Sequence, residues 1–83
     1  MVQVVDEHLA KAIVDVSIFL EFSDENTIDG DAAVAAMEQL SGELQRMSAP
    51  AKAALAQRFQ EIAHVYGDRA QFVENLADSL GIG

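Results

Sequence analysis

The chain has 83 residues, 51% of them hydrophobic and none of them cysteine, with fourteen acidic side chains against five basic ones and a formal net charge of −9. That length suits a single hydrophobic core, hence one helical domain over 1–83, and the apolar content excludes disorder as the default. Nucleic acid and anionic membranes are excluded as partners because gripping phosphate takes Lys/Arg clusters, and the missing cysteines exclude disulfides and zinc–thiolate centres.

The spacing predicts a first helix over 2–22. Val2, Val5, Leu9, Ile13, Val16 and Leu20 recur every three or four residues and stack on one face, the expected core face, with Glu7, Lys11 and Asp15 opposite. Beyond Asp15 the opposite side also turns apolar, through Val14, Ile18 and Phe22. A helix that is apolar all round is either central to its fold or shared with another molecule. The apolar run from Ile13 to Phe22 is about half of the roughly 20 residues that span a bilayer. Met1 to His8 carry acid where a secretory leader would carry basic residues, so the expected compartment is the cytoplasm.

Residues 23–30 read as a connection, because Ser, Asp and Asn side chains compete for backbone groups that a helix would use. Asp29 is the expected N-cap of a second helix over 30–47, with Asp31 in its first turn facing the positive end of the helix dipole and Ile28 folding back on Ala33. Ala33, Met37, Leu40, Leu44 and Met47 form its narrow apolar seam. Gly42 lies on the far side of that seam, where a glycine is either tolerated or marks a close backbone approach. Ser48 and Pro50 begin a third helix over 49–66, which buries Ala51, Leu55, Phe59, Ile62 and Tyr66 and ends at a left-handed Gly67. Asp68 is the expected cap of a fourth helix over 69–80, with Gln71 completing a capping box. Phe72, Val73, Leu76 and Leu80 make its buried face, and Gly81 and Ile82 close it in a Schellman ending. The fold class expected is all-α, a four-helix, bundle-like array.

Three constellations invite chemistry. Glu21, Asp24, Glu25, Asp29 and Asp31 place five carboxylates within a short stretch free of basic residues. They fail the calcium-loop template: counted from Asp24, Asp29 stands where glycine belongs and Ala35 where a bidentate glutamate belongs. Glu61 and His64 have the spacing of a di-iron carboxylate–histidine motif, but such sites need the motif twice, and His8 has no glutamate three residues before it. Asp78-Ser79-Leu80 resembles the phosphopantetheine attachment motif of acyl carrier proteins. In that family the motif opens a mid-chain helix, whereas here it closes the last one. No serine or histidine arrangement suggests a nucleophile, and no catalytic residue, cofactor or metal is expected.

Over its whole length the chain resembles the small acidic helical proteins that bacteria encode beside secreted or contact-delivered toxins, the immunity proteins. The stretches Phe19–Asp24 and Asp31–Leu40 carry the resemblance, which is one of type, so no family residue is carried over. It implies a protein that neutralises a cognate toxin with a basic surface by covering its active site, acidic side chains standing in for an anionic substrate. The expected docking surface is Phe22, Asp24, Glu25, Ile28, Asp29 and Asp31. The alternatives are a structural or regulatory homo-oligomeric adaptor, dimerising through helix one, and an acyl-carrier-like protein.

Overall fold

A computed structural model describes residues 5–83, which form helices α1 (Glu7–Phe22), α2 (Gly30–Gln45), α3 (Ala49–Ile62) and α4 (Ala70–Ser79), with a 3-10 segment, Ala63–Arg69, between the last two. The described residues contain no strand, as the all-α expectation requires. α3 packs against both α1 and α4, while α2 lies beside α1. The Cα trace extends 45 × 28 × 18 Å, so its thin dimension holds about two helix layers, whose axes pack about 8–10 Å apart.

α1, α2 and α3 each begin where a side chain can satisfy orphan backbone donors. Asp6 caps α1 by accepting from the amides of His8 and Leu9, so the helix starts at Glu7 rather than earlier. The predicted helical residues 2–4, with Val2 of the expected core face, lie outside the described residues. Asp29 and Ser48 cap α2 and α3 as expected. The predicted Asp68 cap does not form. α3 tightens into 3-10 winding at Ala63, the chain bends at Gly67 (φ 53°), and Asp68 already sits inside the next helical turn, with Arg69 at the cap position and no side-chain cap bond. The Schellman ending does form: Ile82 and Gly81 donate to the carbonyls of Ala77 and Asp78, and Ile82 is buried. Gly81 serves twice, through its φ of 77° and because a Cβ there would collide with the Gln45 side chain. That side chain and Ser41 both donate to the Leu80 carbonyl, at 3.0 and 2.7 Å, clamping α2 to the end of α4.

The core is centred on Leu55, Phe59 and Ile62 of α3, packed on Val73, Leu76 and Leu80 of α4 and on Ala10 and Val14 of α1. Of the expected faces, Leu55, Phe59 and Ile62 of α3 and Val73, Leu76 and Leu80 of α4 are buried, whereas Ala51 and Phe72 are half-buried, as is Tyr66, which lies beyond the end of α3. Of the expected α2 seam, Ala33 is buried, and Met37, Leu40, Leu44 and Met47 are half-buried against the core. Helix one is turned from its expected orientation. Its buried residues are Ala10, Val14 and Ser17, whereas Leu9 and Val16 of the expected core face are 57% and 51% exposed. The cause is size: a face of alanine, valine and serine lets α1 come close to α3, and the distance between packed helices depends on the side chains at the contact. Ser17 tolerates complete burial because its hydroxyl donates to the Ile13 carbonyl at 2.8 Å.

Polar contacts hold α1 just before its start and at its middle. Arg58 on α3 donates to the Val5 carbonyl at 3.0 Å, and the Tyr66 hydroxyl donates to Asp15 at 2.9 Å. Burial, then the hydrogen bond and negative charge of Asp15, push the Tyr66 hydroxyl up to about 12. An unfolded tyrosine ionises near pH 10, so this contribution is complete below about pH 10 and is lost as pH rises through 12. Tyr66→Phe should cost about 0.5–1.5 kcal/mol at neutral pH and remove this part of the alkaline destabilisation. Melting curves of the two proteins that run parallel from pH 9 to 12 would contradict the assignment. Gly42 is exposed in mid-α2, and a Cβ there would meet nothing within 4 Å, so no backbone approaches it. Gly42→Ala should therefore stabilise the protein by about 0.5–1 kcal/mol in denaturant titration.

Candidate partner-binding groove

The connection 23–29 turns the chain through an Asx-type loop. The Asp24 carboxylate accepts from the amides of Asn26 and Thr27 and from the Thr27 hydroxyl, each at 3.1 Å. This turn sets the end of α1 beside the start of α2 and leaves an open groove of about 700 Å³ between them. Leu20, Ile28, Ala33, Val34 and Met37 supply its apolar lining, and Glu21, Asp24, Glu25 and Glu38 its carboxylates. Val34 is 58% exposed, a large apolar side chain that the fold leaves to solvent at the groove.

No basic residue lines this groove. Four of the five basic residues are engaged elsewhere: Lys11 with Glu7, Lys52 with the Gln45 carbonyl, Arg58 with Glu61 and Val5, and Arg69 over the ring of Phe22. The groove therefore keeps an uncompensated negative field over an apolar floor, the arrangement that attracts and orients a cationic surface.

The residues expected from sequence to form one docking surface separate into groups. Asp24, Glu25 and Ile28 line the groove. Asp29 and Asp31 are exposed at the start of α2, where Asp29 is occupied by the Ala32 amide at 3.0 Å. Phe22 is not part of the groove: its ring meets Phe72 edge-on at 5.1 Å and carries the Arg69 guanidinium 3.7 Å above its centre. That cation–π contact and aromatic pair tie the end of α1 to α4. Val14 is fully buried and Ile18 half-buried, so neither offers the second apolar face that sequence spacing suggested. Sequence reasoning missed Glu38, Val34 and Met37. Their signal was the proximity of the α2 start to the end of α1 that a short polar connection enforces.

The other constellations do not converge. The Glu61 carboxylate is held by Arg58 at 2.9 Å, while His64 turns to the Glu61 backbone carbonyl, both side chains lying exposed. Among the described residues no three His, Cys, Asp or Glu side chains are grouped to hold a metal ion. Ser79 lies exposed at the groove edge with its hydroxyl donating to the Asn75 carbonyl. No described helix is long and apolar enough to cross a membrane. Compared with protein-family models, curated proteins and solved structures, the chain matches none of them.

The acids in and beside the groove are thus of two kinds. Asp24 and Asp29 hold backbone amides, whereas the Glu25 carboxylate has no hydrogen bond or ion pair among the described residues and lies against Gly30. Asp24→Ala and Asp29→Ala should each lower stability by about 1 kcal/mol, and Glu25→Ala should leave it within about 0.5 kcal/mol. Equal losses for all three in urea titrations would refute this division.

Proposed function

We propose that this protein is a non-catalytic protein-binding domain whose acidic, apolar-floored groove docks on a basic surface of a partner, in the manner of a bacterial immunity protein that neutralises its cognate toxin in the cytoplasm. In this reading the four helices form a bundle-like array that holds the groove open. The supporting observation is the groove itself: four carboxylates beside an apolar lining, with no basic side chain to neutralise them. Such a surface steers a cationic partner by long-range attraction and then excludes water over its apolar floor. Acidic side chains placed across a toxin's active site would mimic the anionic substrate that the site is built to hold.

Glu21, Glu25 and Glu38 are the acids to neutralise, because Asp24 and Asp29 also hold the loop. The test is association with the purified protein encoded beside this one, followed by stopped-flow kinetics over a range of salt. Replacing all three with Gln should slow association about tenfold or more at low salt and flatten its salt dependence, leaving the melting temperature nearly unchanged. Association rates unaltered by the triple substitution would overturn the groove as the docking site. An acyl-carrier role predicts instead a phosphopantetheine mass on Ser79 in protein isolated from its native host.

A further inference from the structure

We propose that the solvent-facing stripe of α1 is a homodimer interface, in which two copies of this helix cross antiparallel at Ala12. Leu9, Ala12, Val16 and Phe19 follow one another at steps of three, four and three, the spacing of a coiled-coil seam. All four point away from the chain's own core: Leu9, Val16 and Phe19 are 57%, 51% and 49% exposed, and Ala12 is exposed as well. This face lies apart from the groove, and its occupant differs in kind.

The chemistry of the stripe selects a second copy. A chain of net charge −9 presents here a strip without a single charged side chain, so a partner recognised by charge has nothing to grip. A second copy brings the same apolar strip, and a two-fold axis makes it self-complementary. Crossing at Ala12 sets Leu9 of each copy opposite the partner's Val16, and the small alanines at the centre let the helices approach closely. The polar flank decides the direction. His8 and Asp15 lie on the same side of the stripe, and antiparallel crossing brings His8 of each copy within one turn of the partner's Asp15. A parallel pair, whose two-fold axis runs along the helices, would instead put the two His8–Asp15 flanks on opposite sides of the seam, where they make no contact with each other. Asp15 uses one carboxylate oxygen on Tyr66, leaving the other for such a contact.

The salt response of this interface is opposite to that of the groove. Two copies at −9 each repel through the rest of their surfaces, so screening should strengthen self-association while weakening capture of a cationic partner. Sedimentation of the full chain at high micromolar concentration should show a dimer whose fraction rises with sodium chloride. Val16→Glu should sediment as a monomer with an unchanged circular dichroism spectrum, and Ala12→Glu repeats the test if Val16→Glu loses its fold. Because the chain has no cysteine, geometry is read directly by single-thiol variants. Ala12→Cys should oxidise to a covalent dimer, since thiols at the crossing meet the limit of about 7 Å between Cα atoms. Phe19→Cys should not, since antiparallel helices separate those positions by about 20 Å. A monomer at every salt concentration, a dimer that survives both glutamate substitutions, or crosslinking through position 19 rather than 12 would each overturn the proposal.

Discussion

The close contact of α1 with α3 is the constraint on which the other features depend. Ala10, Val14 and Ser17 are all fully buried, facing a core built on Leu55, Phe59 and Ile62. Small side chains on one helix and large ones on the other let the axes approach without overpacking. The cost of placing a serine there is met by its hydrogen bond to the preceding turn. Once that face is committed inward, with Ile13 and Ile18 half-buried beside it, the large apolar residues on the opposite side of α1 have nowhere to go but outward. Leu9, Val16 and Phe19 are consequently exposed, and Leu20 comes to line the groove beside α2.

The molecule therefore offers two surfaces with different physics. The groove combines negative charge with an apolar floor and acts at long range, with a strength that salt reduces. The outward stripe of α1 carries no charged side chain, so in the proposed dimer it acts only at contact, where screening of the remaining surface helps it. Aromatic and cation–π contacts from Phe22 to Phe72 and Arg69 fasten the end of α1 between these surfaces. α2 is held more lightly, through its half-buried seam and the Ser41 and Gln45 clamp on Leu80, so its outer face and Val34 remain available.

Much of this was readable from the residues because local chemistry decided it. The caps at Asp29 and Ser48, the proline-marked start of α3, the Schellman ending at Gly81 and the inward faces of α3 and α4 each follow from a side chain acting on its own or neighbouring turns. The orientation of α1 was not readable, because ranking positions by hydrophobic size favours Leu9 and Val16 over Ala10 and Ser17. Only the partner helix determines that smallness is what the contact needs. The same limit affected Phe22, whose partners lie fifty residues away in sequence, and Glu38, which joins the groove through the turn that Asp24 builds. The Asp68 cap was lost because a 3-10 segment with a bend at Gly67 absorbed the junction that a simple break would have left to it.

The orientation of α1 is tested most directly by comparing Val14→Thr with Val16→Thr, two identical chemical changes two positions apart on one helix. Val14 is fully buried and Val16 half exposed. Equilibrium denaturation at a concentration low enough to keep the protein monomeric should show a loss of about 1–3 kcal/mol for Val14→Thr and no more than about 0.5 kcal/mol for Val16→Thr. The reverse order would place Leu9, Val16 and Leu20 in the core and contradict both the groove and the outward stripe.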